Sequence, residues 1–348
     1  VILPVDRSRI GDRVVATGNR ALPSQRLLDG RLAVWIENIP PLGSVRLRVE
    51  PGGPARTDRM IRIGELGLDS GRVRVEIDPG TGAIARMFWR PASVGRSLAP
   101  GSPPSAATPG VPGRSPTPAA VGITWRARGE AIKEVLIGAG LFNYLYVPGR
   151  DPAQAQGVGS VTIRVDDQGP LVATIRVESD APGSAKLVRV VRLVAGSDIV
   201  FVSATLDKRR VRTKESAHLA LPLSIPDGVV RLDEGEALIE PERDQLPGSC
   251  RDFVGVHSTV DVSGRDYGVS VATLDAPLIE LGAMTDERQT PGRVRSWPEH
   301  VVPGTTFYAY LLNNYWHTNY KADQEGPLLF RFVLQPHGVF DAVSLRRF

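Results

Sequence analysis

The stretch Arg72-Val73-Arg74-Val75-Glu76-Ile77-Asp78 alternates polar and apolar side chains, and Pro79-Gly80-Thr81-Gly82 follows it directly. Because successive side chains of a β-strand point to opposite faces, the alternation predicts a strand that buries Val73, Val75 and Ile77. Proline fixes φ and glycine permits positive φ, so the residues after the strand predict a turn. An apolar run over 84–89 comes next. The whole segment is therefore predicted to form a β-hairpin.

The same pattern recurs along the chain. Apolar runs at 187–194 and 199–206 flank a short Gly- and Asp-containing turn, and further strand-like runs cover 161–166, 171–178, 254–262, 268–274, 305–313 and 328–335. No stretch shows a sustained helical period; Glu130 to Ile137 is the best candidate for a helix, and it is short. The sequence predicts an all-β fold.

Two domains are predicted. Residues 1–58 contain three strand-like runs and end near the linker sequence Pro51-Gly52-Gly53-Pro54, which indicates a small β-sandwich domain. The strands of 59–348 are too many for one small sheet and fit a large sandwich of two sheets. Residues 91–120 are rich in Pro and Gly and are predicted to form an exposed insertion of this second domain.

Composition excludes several classes of protein. The net charge is only +4, and arginine is interspersed with acidic residues, which argues against a nucleic-acid partner. No apolar run approaches the roughly 18 residues of a membrane helix, so no membrane partner is expected. Cys250 is the single cysteine, which excludes an internal disulfide and a cysteine zinc site. The chain begins at Val1 with no leader pattern, so a signal peptide is absent or removed; localisation is left open, with the cytoplasm favoured.

Familiar catalytic and cofactor motifs are missing from the sequence. It contains no HExxH, GxSxG or Walker-type loop. The five histidines are widely spaced along the chain, so no local metal site is predicted. We therefore expect no metal and no cofactor in this chain, and its catalytic residues are unknown.

The most unusual stretch runs from Phe307 to Tyr320. Aromatic rings can pack against the C–H face of a sugar, and amide or imidazole groups beside them can bind its hydroxyls. The first aromatics of the stretch fit a buried strand. The loop that follows supplies the candidates for carbohydrate contact, which are Tyr315, Trp316, His317, Asn319 and Tyr320.

Two other clusters carry titratable groups. Glu215 and His218 follow a basic stretch and could form an acid/base pair, although a salt-bridged strand end explains them as well. Asp244 and Arg251 lie in a polar loop and could orient sugar hydroxyls, although ordinary loop solvation explains them too.

Taken in order, several segments resemble the C-terminal β-sandwich region of glycoside hydrolase family 38, the α-mannosidases. The matching segments are 39–43, 70–84 with its Asp-Pro-Gly-Thr-Gly turn, Lys214-Glu215-Ser216, 268–277, 313–320 and 330–337, with the Trp316–Tyr320 loop contributing most. The resemblance implies a small β-sandwich followed by a galactose-mutarotase-like supersandwich. It also implies a retaining glycosidase whose zinc ligands and nucleophile lie on an α/β catalytic domain.

Nothing in these 348 residues resembles that catalytic domain. The leading hypothesis is a β-sandwich portion that supports a catalytic α/β domain, present in cis or as a separate chain, and that contacts carbohydrate. A second hypothesis is a self-contained sugar epimerase or polysaccharide lyase that uses Glu215 with His218, or Tyr320 with His317. A third is a carbohydrate-binding module without chemistry, which requires Tyr315 and Trp316 to be exposed side by side.

Overall fold

The N-terminal part of the chain forms two small antiparallel sheets. A computed structural model describes residues 1–37, 39, 42–58, 60–91, 132–135, 137–235, 237–285, 298–315 and 321–345. The first elements are β1 (Ile2–Leu3), α1 (Val5–Ser8), β2 (Arg13–Ala16), β3 (Arg20–Leu22), β4 (Ser24–Arg26), β5 (Leu32–Val34) and β6 (Leu47–Glu50). The strand orders are β1-β5-β4 and β3-β2-β6. Val14, Leu22 and Leu32 from the two sheets pack into one apolar cluster, which makes this part a small β-sandwich.

The remainder of the described chain forms three larger sheets. Its strands are β7 (Arg62–Ile63), β8 (Gly67–Asp69), β9 (Val73–Ile77), β10 (Ile84–Trp89), β11 (Lys133–Val135), β12 (Asn143–Pro148), β13 (Val161–Gln168), β14 (Val172–Ser179), β15 (Ser184–Val194), β16 (Val200–Lys208), β17 (Glu215–Pro222), β18 (Val229–Glu234), β19 (Ala237–Ile239), β20 (Val254–Gly255), β21 (Thr259–Ser263), β22 (Gly268–Thr273), β23 (Leu278–Leu281), β24 (Thr306–Asn313) and β25 (Gly326–His337). A 3-10 turn (Pro152–Gln154) and a short helix α2 (Ala342–Leu345) complete the described elements.

These strands pair in three antiparallel sheets. Two sheets have five strands each, in the orders β11-β10-β9-β8-β7 and β12-β17-β24-β23-β20. The third has nine strands in the order β13-β14-β15-β16-β25-β22-β21-β18-β19. The bridges Ile84–Leu141 and Ile137–Leu223 connect the two five-stranded sheets. Alternate apolar side chains of all three sheets form one core, so the nine-stranded sheet and the five-stranded pair enclose it between them.

The small sandwich is attached to the nine-stranded sheet by polar and apolar contacts. The Gln25 side chain accepts hydrogen bonds from the backbone N–H groups of Leu171 (2.9 Å) and Val172 (2.8 Å), and donates one to the Val172 carbonyl (2.8 Å). Leu27 and Ala33 pack against the same two residues. Each backbone group at the start of β14 that faces Gln25 is thereby satisfied.

The predicted fold class is confirmed: the protein is all-β, with a small sandwich followed by a large one. The boundary between 1–58 and 59–348 stays a prediction, and the insertion at 91–120 lies outside the described residues except for Pro91. The candidate helix over 130–137 is not formed in the part that the structure describes. Lys133–Val135 forms strand β11, because it pairs with β10 at Met87↔Val135. Within the described ranges, no helix is long and apolar enough to cross a membrane.

Candidate functional site

The candidate site lies on the side of the five-stranded sheet β12-β17-β24-β23-β20 that faces away from the core. Along β17 the side chains alternate, so that Ala217 and Leu219 enter the core while Ser216 and His218 take the opposite side. We call this opposite side the outer face of the β17 sheet. Its polar side chains are buried, since Ser216 is 1% and His218 2% exposed. A buried polar cluster here requires internal hydrogen-bond partners.

His218 is the centre of the cluster. Its Nε2 lies 2.8 Å from the Ser216 Oγ, and its Nδ1 lies 3.0 Å from the Oε2 of Glu280 on β23. The second distance is that of an ion pair, but the two atoms lack the alignment of a hydrogen bond. The imidazole also stacks on the Tyr310 ring at 4.7 Å between centroids, with 7° between the planes.

Tyr315 joins the cluster from the chain segment that leaves β24. Its hydroxyl donates to Ser216 Oγ at 2.7 Å, and its carbonyl accepts a hydrogen bond from Arg150 at 2.8 Å. The Arg150 guanidinium also lies over the Tyr315 ring, 5.0 Å from its centroid. Burial raises the pKa of the Tyr315 phenol, so the hydroxyl remains a donor at neutral pH. We call His218, Ser216, Glu280, Tyr310 and Tyr315 the His218 network.

Asn314 fixes the same segment from the other side. Its side-chain oxygen accepts the backbone N–H of Glu215 at 2.7 Å, and its amide donates to the carbonyls of Val211 (2.8 Å) and Thr213 (3.0 Å). Asn314 and Tyr315 are both buried. The first two residues after β24 are therefore held in place by several hydrogen bonds.

The spatial order Ser216–His218–Glu280 is that of a nucleophile, a base and an orienting carboxylate, although only Ser216 and His218 are hydrogen-bonded. A nucleophile must reach its substrate, however, and Ser216 is only 1% exposed. Its Oγ also accepts the Tyr315 hydroxyl. This arrangement suits the positioning of Tyr315 better than attack on a substrate.

The predicted acid/base pair of Glu215 and His218 is not formed. The two residues are separated by an odd number of positions in a regular strand, so their side chains lie on opposite faces. Glu215 instead forms a buried ion pair with Lys208 at 2.7 Å and accepts the Tyr146 hydroxyl at 2.8 Å. It belongs to the inner side of the sheet, where the salt-bridge interpretation applies.

Asp244 and Arg251 find their partners within their own loop. Asp244 accepts the backbone N–H of Glu240 at 2.7 Å and pairs with Arg243 at 2.9 Å. Arg251 is buried and donates to Glu242 and to the Gln245 side chain, both at 2.6 Å. These contacts order the loop itself, and a role in binding sugar stays a prediction.

The structure brings together His218 and Tyr315, which were predicted in separate clusters, and Ser216 connects them. Trp316, His317, Asn319 and Tyr320 lie outside the described residues, so their predicted sugar contacts and the Tyr320–His317 pair stay predictions. Tyr315, which the third hypothesis requires to be exposed, is only 7% exposed. Sequence reasoning missed Glu280, although a single carboxylate within the apolar run Leu278-Ile279-Glu280-Leu281 is a signal for a buried polar partner.

Among the described residues, no group of three or more His, Cys, Asp or Glu side chains could hold a metal ion. The expectation that zinc is bound outside this chain stays a prediction.

The fold is shared with solved glycosidases. No family model and no curated protein matches the chain. The crystal structure of an alpha-mannosidase from Enterococcus faecalis V583 is similar at a TM-score of 0.57 with 10% identity, over 94% of this chain and 38% of that chain. A protein in glycosyl hydrolase family 38 from Enterococcus faecalis is similar at a TM-score of 0.58 with 11% identity, over 94% of this chain and 39% of that one. The resemblance to family 38 is thus confirmed at the level of the fold, and this chain spans less than two-fifths of the length of those chains.

Proposed function

We propose that this chain is the non-catalytic β-sandwich portion of an α-mannosidase-like retaining glycoside hydrolase. The observation that carries the proposal is the structural match: nearly the whole chain, 94%, superimposes on under two-fifths of two such proteins. An independent series of short sequence segments points to the same family.

In this proposal the catalytic α/β domain is a partner, in cis or as a separate chain, and it supplies zinc and nucleophile. The sandwich supports that domain and lends the loop after Asn313 to the sugar pocket, with Trp316, His317, Asn319 and Tyr320 as the contacting residues. The fixed positions of Asn314 and Tyr315 support this role, because a loop can orient a ligand only if its base is rigid. We expect neither nucleic acid nor a membrane as a partner.

The test has two arms. The polypeptide 1–348 is assayed on aryl α-mannosides with and without zinc, and no turnover is expected. The complete protein as encoded, or the polypeptide mixed with its catalytic partner chain, is assayed in parallel, and zinc-dependent turnover is expected. Substantial hydrolysis by 1–348 alone would refute the non-catalytic role. Absence of α-mannoside hydrolysis in the complete protein would refute the assignment to this class of enzyme.

The contribution of the loop is tested in the complete protein. Trp316→Ala is expected to raise KM about five- to thirty-fold, because an aromatic ring packed against a sugar is worth about 1 to 2 kcal/mol. Tyr308→Phe, on β24 and outside the loop, is the matched control and should leave KM unchanged. Equal KM values for both variants would contradict sugar contact by the loop.

A further inference from the structure

Two clefts adjoin on the side of the nine-stranded sheet that faces away from the core. A single cross-strand row connects them, because Ala272 on β22 lies opposite Val333 on β25, and Val333 lies opposite Phe201 on β16. Ala272 lines one cleft, while Val333 and Phe201 line the other. Leu274, which is 58% exposed, lines both. The two clefts therefore meet at Leu274.

The first cleft, which we call the polar cleft, has a volume of about 470 Å³. Asp233, His257, Ser258 and Thr259 lie along it. The Ser258 hydroxyl donates to the Asp233 carboxylate and lies 3.1 Å from the Thr259 hydroxyl, so acceptors and donors stand in a row. Leu238, directly opposite Asp233 on β19, adds an aliphatic wall. Such a combination matches a ring with hydroxyls at its rim and C–H groups on its face.

The second cleft, which we call the apolar cleft, has a volume of about 540 Å³. Trp35 from the small sandwich and Phe201 contribute aromatic rings, and Val190 and Val194 on β15 contribute aliphatic groups. Phe201 is 39% exposed, which is unusual for a phenylalanine in a sheet. An open apolar surface of this kind is a common mark of a binding site.

The charges around the clefts narrow the class of ligand. Two arginines border the apolar cleft, and each faces a carboxylate. Asp275 contacts Arg331 at 2.8 and 2.9 Å, and Asp167 lies 4.0 Å from Arg192. Asp233 gives the polar cleft a carboxylate, which repels anions and accepts hydrogen bonds from hydroxyls. An acidic ligand is therefore disfavoured, and a neutral one with hydroxyls at one end and an apolar group at the other fits both clefts.

We propose that this face binds a neutral glycoside, with its sugar in the polar cleft and its alkyl or aryl aglycone in the apolar cleft. This site is separate from the His218 network and requires no catalytic domain. It goes beyond the proposed function and does not depend on it, because it concerns binding alone.

The test compares two ligands that share a sugar and differ in the aglycone. Methyl α-D-mannopyranoside and octyl α-D-mannopyranoside, the latter below its critical micelle concentration, are titrated into 1–348 by calorimetry. The octyl glycoside is expected to bind about ten-fold or more tightly, because part of its chain leaves water. Octyl β-D-glucopyranoside is titrated as well, so that specificity for mannose does not decide the outcome.

Variants assign each half of the ligand to its cleft. Phe201→Ala is expected to remove most of the octyl advantage and to leave methyl mannoside binding unchanged; Leu329→Ala, an exposed side chain on the same sheet outside both clefts, is its control. Asp233→Asn is expected to weaken both glycosides about ten-fold, since a charged acceptor is lost. Asp227→Asn, at an exposed turn, is its control.

Several results would overturn the proposal. They are the absence of binding by both octyl glycosides, equal affinities for the methyl and octyl mannosides, and unchanged binding in both Phe201→Ala and Asp233→Asn. Circular dichroism establishes that the variants are folded, and Ser258→Ala provides a second probe of the polar cleft if Asp233→Asn does not fold. Loss of α-mannosidase activity in the complete protein has no bearing on these titrations, so the two proposals fail independently.

Discussion

Replacement of Glu280 by alanine tests whether the His218 network is an integral part of the fold. Glu280 is 2% exposed and serves two groups. Its Oε1 accepts the backbone N–H of Thr285 at 2.9 Å, and its Oε2 lies 3.0 Å from His218 Nδ1. In Glu280→Ala the Thr285 N–H loses its acceptor, and the buried His218 imidazole loses the carboxylate at ion-pair distance.

The cost follows from these two losses. A buried donor without a partner costs about 1 to 3 kcal/mol, so Glu280→Ala should lower the free energy of unfolding by about 2 to 5 kcal/mol. Glu280→Gln keeps an oxygen for Thr285 and loses the charge that faces His218, so about 1 to 2 kcal/mol is expected. In a His218→Phe background, which keeps an aromatic ring against Tyr310, the alanine replacement should cost about 1 to 3 kcal/mol less.

Urea unfolding followed by tryptophan fluorescence at pH 7 measures these differences. Glu134→Ala is the matched control, because this carboxylate is exposed and forms a surface ion pair with Arg86 at 3.1 Å, for which about 0 to 1 kcal/mol is expected. The prediction is refuted if Glu280→Ala costs no more than Glu134→Ala. It also fails if the cost is the same with and without His218, since the two residues would then be uncoupled.

Three further predictions concern other parts of the fold. Gly82→Ala should destabilise the protein by about 3 kcal/mol or more, because its φ is +67 and an added Cβ would overlap two side chains; Gly71→Ala, with φ of +89 and open space, should cost only about 1 kcal/mol in the same urea titration. Burial, and then the charge of Glu280, raises the pKa of Asp252, so the wild-type protein loses stability as the pH rises through that pKa and the carboxyl group ionises. Asp252→Asn, which stays neutral, should therefore gain stability over the wild type at pH 7 and gain less at pH 4, as measured by urea unfolding at the two pH values. Gln25→Ala removes three hydrogen bonds to the start of β14 and should cost about 2 to 4 kcal/mol by thermal unfolding, and a loss below about 1 kcal/mol would contradict its role in joining the two sandwiches.

The sequence predicted those strands whose two faces differ in polarity. The alternating run from Val73 to Ile77 coincides with β9, because alternation fixes which side chains are buried. The hydrophobic pattern did not predict the strands correctly where pairing with neighbouring strands decides the structure. The run at 254–262 was predicted as one strand, but it is β20 in a five-stranded sheet and β21 in the nine-stranded one, with a crossing at 256–258. That crossing carries His257 and Ser258 into the polar cleft.

The candidate site was predicted only in part for a related reason. His218 and Tyr315 were identified as candidates, yet the sequence does not show that Ser216 connects them. Nor does it show that Glu280, from the separate strand β23, lies beside His218. Proximity across strands depends on register, and one sequence alone does not determine it. The pairing of Glu215 with His218 failed by the same rule, because an odd separation within a strand places side chains on opposite faces.

The two faces of strand β17 have different roles: the inner face stabilises the fold, and the outer face holds Tyr315 at the base of the loop. Variants on each face can measure this difference. On its inner side, Glu215 pairs with Lys208, and both side chains are at most 2% exposed. Removing one partner of such a pair costs about 3 to 5 kcal/mol, so Lys208→Met should destabilise the fold strongly. On its outer side, Tyr315→Phe removes the hydroxyl that donates to Ser216, a hydrogen bond worth about 1 kcal/mol. If the outer face positions the loop at the sugar, Tyr315→Phe should raise the KM of the complete protein for aryl α-mannosides while leaving its unfolding midpoint nearly unchanged. Lys208→Met should lower the unfolding midpoint and leave KM nearly unchanged at temperatures where the variant remains folded. A KM that followed stability in both variants would mean that the outer face, like the inner one, serves only to hold the sheets together.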